Sequence, residues 1–307
     1  MRIVKSVLTW TPVADTAARL FSAAVKAAPR KGVRFPEIAG NTSIIRIPTR
    51  FGAVEATVYR PRPAADMTLP VYVNIHGGGF AVGNRDQDDP WCRYLATRAG
   101  VVVVNTDYVL TPGHRFPAPV EQLYDVTRWV VAAPGWDGTR LCIGGQSAGG
   151  NLAAAVSRMA LENDRPQIAL QMLHYAPLDL VTSGWDKPSP VDKAAVLKPW
   201  MSDVFDTAYI PDPRRRQDRL ASPAWGTNAD NVSGIAPAVI VTAEHDRLRA
   251  EGARYAEKLD AAGALVAYHE VAGLDHGYNI MSETARAVTA TRATYDMVSA
   301  YVRQATA

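Results

Sequence analysis

The chain has 307 residues, 48% hydrophobic and 21% charged, with a net charge of +3 and two cysteines. That balance describes a globular protein with ample apolar surface to bury, and the length suits one α/β unit carrying insertions. The mild charge gives no reason to expect nucleic acid or an anionic membrane as partner, and Cys92 and Cys142 cannot build a disulfide framework. The apolar run after Lys5 is broken by Thr9, Thr11, Pro12 and Asp15, so it lacks the core of a secretory signal. No stretch approaches the length of a membrane span, and a cytoplasmic location is the default expectation.

In chain order, the first periodic segment is residues 11–28, where Val13, Ala17, Leu20, Phe21, Ala24 and Val25 recur at helical spacing. Strand character follows at residues 42–48, 53–59, 71–76, 101–106, 141–145, 168–174, 238–243 and 265–271. The runs Val101–Val104 and Ala238–Val241 are continuously apolar, as in strands covered by helices on both faces. Helical patterns fall at 91–98, 120–132, 150–161, 250–262 and 283–305. Alternation of strand and helix predicts an α/β fold with a mostly parallel sheet, and the first two strands, having no helix between them, predict an antiparallel start.

Residues 180–228 interrupt this alternation with a Pro-containing insertion whose middle, 193–203, reads as helical. Insertions of this kind usually cover a site at the C-terminal end of the sheet. The expected organisation is therefore N-terminal cap helices in 1–40, an α/β core in 41–179 and 229–307, and a cap insertion in 180–228. The Arg214-Arg215-Arg216 run inside it reads as solvated surface.

The segment Gly145-Gln146-Ser147-Ala148-Gly149 joins a strand to a helix around one serine. A G-x-S-x-G in that setting is a nucleophile elbow, with glycines where strand and helix approach too closely for a Cβ. A serine hydroxyl is a weak nucleophile and needs a base, an orienting acid and oxyanion donors. In this fold the partners follow in the order Ser, Asp or Glu, then His. His276 follows the last strand, and Asp246 follows the strand before it. Glu244 and Asp275 are alternatives to Asp246, although a residue adjacent to His276 seldom reaches its far ring nitrogen. The donors fall to the N–H groups of Gly77 and Gly78, in His76-Gly77-Gly78-Gly79-Phe80, together with Ala148 at the helix start. His76 reads as the group that holds the glycine loop. His114 reads as structural, and His174, His245 and His269 lack metal-ligand spacing, so no metal is assigned. Phe80 and Tyr278 are candidates for substrate contact, with Trp91, Trp200 and Phe205 behind them, although large aromatics commonly belong to the core.

These motifs occur in a family order. His76–Phe80, Asp107–Ala118, Gly144–Gly150, Tyr175-Ala176-Pro177, Ser222-Pro223, Asp246-Arg247-Leu248 and Asp275–Tyr278 together resemble the hormone-sensitive lipase-like branch of α/β-hydrolases, the bacterial family IV carboxylesterases. The resemblance implies an eight-stranded α/β-hydrolase sheet, a helical cap, and hydrolysis of short to medium acyl esters without a cofactor. It also implies pairing of two copies through the edge of the last strand. Lactonase, amidase, deacetylase or acyltransferase chemistry would use the same triad, and a ligand-binding relative would be expected to lack the histidine. The chain departs from the family at Gln146, Gly113 and Ala250, where Asp or Thr, Glu, and Asp are common. Those departures bear on the bonding behind the elbow and on the setting of Asp246.

Overall fold

The computed structural model describes residues 7–28, 31–62 and 68–307. One eight-stranded sheet organises it, in the order β1-β2-β4-β3-β5-β6-β7-β8. Its strands are β1 (Thr42–Ile47), β2 (Val54–Tyr59), β3 (Pro70–Ile75), β4 (Val102–Thr106), β5 (Asp137–Gln146), β6 (Leu170–His174), β7 (Ala238–Ala243) and β8 (Leu265–Val271). β2 runs antiparallel to both β1 and β4, and every other pairing is parallel.

The apolar strands follow from two cores, one on each face of the sheet. Val71, Val73 and Ile75 face one core while Tyr72 faces the other; Val102 and Val104 alternate with Val101 and Val103 in the same way. On the first face lie α3 (Ala118–Ala132), α4 (Ala148–Glu162) and α6 (Arg249–Ala261), through Leu123, Val156 and Leu259. On the second lie α2 (Asp89–Leu95) and α7 (Ala285–Ala305), through Trp91, Tyr94, Tyr295 and Val302. A period of two with both phases apolar is what a doubly covered strand requires. No helix among the described residues is long and apolar enough to cross a membrane.

Two local readings need correction. The helix in the insertion is not at 193–203: a 3₁₀ turn occupies Asp192–Ala194, and the α-helix, α5, spans Pro199–Tyr209. Pro199 sets this start, because a proline inside a helix costs a hydrogen bond and the residue before it avoids αR. Lys198 is accordingly extended at φ −81°, ψ 146°. The arginine run is also not simply solvated. Arg214 and Arg215 are exposed, but Arg216 bonds the Ile210 carbonyl and Thr207 Oγ1, holding the end of α5.

The first helix, α1 (Thr11–Ala27), packs against α5. Ala18 and Phe21 meet Val204, Phe205 and Ala208, and the same cluster takes in Ala81 and Val82, just past the glycine loop. Arg115 joins the two helices from below, donating 2.6 Å to Asp15 Oδ2 and 2.7 Å to the Ala208 carbonyl.

Candidate active site

β5 ends at Gln146 and α4 begins at Ala148, so Ser147 alone makes the turn between them. It does so at φ 53°, ψ −125°, a strained conformation for a residue with a Cβ. The Ser147 N–H donates 2.9 Å to the His174 carbonyl, which ties the elbow to β6. A Cβ on Gly145 would lie 2.3 Å from the Ile75 carbonyl oxygen. The glycines are there because β3 passes directly against the turn.

His276 follows β8 and closes on this serine. Its Nε2 lies 3.0 Å from Ser147 Oγ, and its Nδ1 lies 2.7 Å from Asp246 Oδ2. A carboxylate only accepts, so Nδ1 carries the proton and Nε2 is left as the acceptor for the serine O–H. Asp246 is 1% exposed, and its second oxygen accepts 2.9 Å from the Leu248 N–H, so both oxygens are committed. The alternatives are occupied elsewhere. Glu244 accepts from the Gly273 N–H, and Asp275 accepts from the N–H groups of His276 and Val196.

The glycine loop lies against the elbow on its other side. A Cβ on Gly77 would come within 2.7 Å of the Gln146 carbonyl and 3.3 Å of Ser147 Cβ. Gly78 sits at φ +119°, where a Cβ would lie 2.0 Å from the Val82 carbonyl, so only glycine fits. Among the described residues, the hydrogen bonds do not use the N–H of Gly77, Gly78 or Ala148. His76 is buried; its Nδ1 lies 2.8 Å from the Gly77 carbonyl and its ring stacks on Tyr108 at 4.4 Å. Burial holds its basicity below the ordinary histidine value, so the ring is a neutral prop for the loop. His174, also near Ser147, is likewise neutral: burial pushes it down to about 3, and its Nε2 bonds the Tyr278 hydroxyl.

Two expected substrate contacts are overturned. Phe80 is 1% exposed and stacks on Tyr209 at 3.9 Å. Tyr278 is 2% exposed, with its hydroxyl on His174 and Thr294. Trp91 is buried too, with its Nε1 on Asn74. All three belong to the core because each ring finds a buried partner. Phe205 differs: a Cβ on Gly79 would lie 2.8 Å from its ring, so α5 sets an aromatic directly on the glycine loop.

The sequence reading missed the network behind the elbow. Gln146 Oε1 accepts from Asn279 Nδ2, which also donates 2.8 Å to the Tyr295 hydroxyl. The Tyr175 hydroxyl bridges Gln146 Oε1 and Asn279 Oδ1, while its ring lies 4.7 Å from that of His276. Gln146, one of the three positions singled out in the sequence, is the residue around which this network is built. Asn279, a lone polar residue beside Ile280 and Met281, was the available signal. Tyr175 stands in the Tyr175-Ala176-Pro177 motif, but nothing in that motif points to this network; its φ of 38° is unusual for a non-glycine residue.

Residues 72–280 match the family described as alpha/beta hydrolase fold. The chain belongs to that family, among its carboxylic ester hydrolases. It is 35% identical to the carboxylesterase NlhH of Mycobacterium tuberculosis over 232 residues, 73% of this chain and 71% of the relative. The solved esterase of Pyrobaculum calidifontis is 32% identical with a TM-score of 0.77, covering 99% of this chain and 94% of that one. A thermostable esterase of Pseudomonas putida is 27% identical with a TM-score of 0.80, covering 95% and 89%.

Proposed function

We propose that this chain is a serine carboxylesterase that hydrolyses short to medium acyl esters through an acyl-enzyme. The observation that supports this most directly is the single imidazole bridging Asp246 at 2.7 Å and Ser147 at 3.0 Å. In this reading Ser147 Oγ attacks the ester carbonyl while His276 Nε2 takes its proton. Asp246 holds the imidazole in the tautomer that permits this and stabilises the imidazolium that forms. The N–H groups of Gly77, Gly78 and Ala148 receive the oxyanion, each contributing about 3 kcal/mol to the transition state. His276 then returns its proton to the leaving alcohol. Water, deprotonated by the same nitrogen, attacks the acyl-serine and frees the acid.

The helices α1 and α5 act as a cap in this reading, with Phe205 over the glycine loop. Two copies pair through β8, the sheet-edge strand, where Val266 and Tyr268 are exposed. The buried free thiols of Cys92 and Cys142 suit a reducing compartment such as the cytoplasm.

Hydrolysis of p-nitrophenyl esters from two to sixteen carbons tests the assignment. The expected result is a maximum among the shorter chains. Greater turnover of a lactone, an amide or an acyl acceptor other than water would move the assignment to that reaction.

A further inference from the structure

Residues 187–197 of the insertion form a strap, and its polar attachments converge on a small region. The Arg247 guanidinium donates to three of its carbonyls: Lys187 from Nη1 at 2.8 Å, Asp192 from Nη2 at 2.9 Å and Leu197 from Nε at 3.0 Å. Ser189 Oγ donates 2.6 Å to the His245 carbonyl. The Val196 N–H donates 2.7 Å to Asp275 Oδ2, while Asp275 Oδ1 accepts from the His276 N–H. The strap is thus fastened to both neighbours of Asp246 and to the residue preceding His276.

Arg247 is 7% exposed, and the carboxylate it reaches, on Asp192, is 3.3 Å away with a largely exposed side chain. Its planar fork is therefore committed mainly to neutral carbonyls spread along the strap, a task suited to its geometry more than to its charge. The start of the strap is seated separately, by Lys187 Nζ on Glu251 at 2.6 Å and on the Asp179 carbonyl at 2.6 Å. Ala195, midway along, is fully buried. The two loops also touch one another through the His245 N–H and the Leu274 carbonyl.

We propose that Arg247 is a positioning residue: it clamps residues 187–197 across the loops that carry Asp246 and His276, and so holds the imidazole at hydrogen-bonding distance from Ser147. This rests on the esterase reading above. The clamp touches no reacting atom. It acts on the register of two side chains, and displacement of about 1 Å in such a pair costs on the order of 100-fold in rate.

The test is the steady-state kinetics of Arg247→Ala on p-nitrophenyl butyrate. We expect kcat to fall about 10- to 100-fold with KM changed less than threefold, and labelling of Ser147 by a fluorophosphonate to slow in parallel. Guanidinium chloride at low millimolar concentration should restore part of kcat by refilling the three carbonyls. Arg247→Lys, with a single ammonium for acceptors spread over the strap, should retain less kcat than guanidinium restores to Arg247→Ala. Arg292→Ala, at an exposed ion pair with Glu37, serves as a control and should keep the wild-type kcat. If Arg247→Ala does not fold, Asp275→Asn takes its place: it keeps an acceptor for the His276 N–H, sets an amide against the Val196 N–H, and should also lower kcat with little change in KM. A folded variant with kcat within twofold of wild type, or a loss confined to KM, overturns the proposal. An inactive wild type would instead overturn the esterase reading.

Discussion

The main-chain carbonyl oxygen of Ile75 stands 2.0 Å from the point a Cβ on Gly149 would occupy. β3 ends there and the glycine loop begins, so one close approach sets the distance between that loop and the serine. Gly149→Ala would force β3 and α4 apart. The expected outcome is a loss of at least ~2 kcal/mol, typical of overpacking against a rigid backbone, together with reduced ester turnover. Urea unfolding reads the first and initial rates the second. An unchanged midpoint would show that the turn has slack the distances do not suggest.

Asp246→Asn should preserve the fold and remove most of the activity. An amide nitrogen facing Nδ1 would donate to it and leave the ring proton on Nε2, where it cannot accept from Ser147. A loss of about 10⁴-fold in kcat is expected from the reversed tautomer, with circular dichroism unchanged. Activity within tenfold of wild type would mean that Glu244 or Asp275 serves in its place.

Tyr175→Phe keeps the ring against His276 and deletes the donor shared by Gln146 and Asn279. The buried acceptor left short should cost about 1–3 kcal/mol of stability. Calorimetry should show the lower Tm, while kcat stays within a few-fold. A large fall in kcat at unchanged Tm would assign the hydroxyl to the chemistry.

Asp88 is fully buried, with one oxygen on Asn74 Nδ2 at 2.9 Å and the other without a partner among the described residues. Burial pushes its carboxyl up to about 7, against the bond from Asn74. The unfolded chain releases that proton near the ordinary value of about 4, so from there to 7 the folded state binds more protons. Stability therefore declines as pH rises through that window. Asp88→Asn has no charge to bury. It should exceed wild type at pH 8 by on the order of a few kcal/mol, with the gap closing towards pH 5. A difference that stays constant with pH would contradict this assignment.

The parts of the site legible in the sequence were those where backbone crowding dictates residue type. The Gly145 and Gly149 pair announces a strand-to-helix approach too close for a Cβ. The doubly covered strands were legible because both side-chain phases are apolar, as in Val101–Val104. Side-chain destinations were not. Phe80 and Tyr278 follow motif residues and read as pocket walls, yet Tyr209 and His174, distant in sequence, draw them into the core. α5 starts later than the 193–203 pattern suggests because Pro199 opens a helix rather than continuing one. The strap contacts of Arg247 depend on where three carbonyls lie, which no local pattern records.

The central claim is that Ser147 becomes acylated with His276 as its base. Rapid mixing with p-nitrophenyl butyrate followed by intact-mass measurement tests it directly, because the acyl group should remain covalently attached when the reaction is quenched. The account predicts a butyryl adduct on the peptide containing Ser147 in the wild type, no adduct in Ser147→Ala, and a sharply slowed adduct in His276→Ala. Ester turnover retained by Ser147→Ala, or an adduct on another residue, would contradict it.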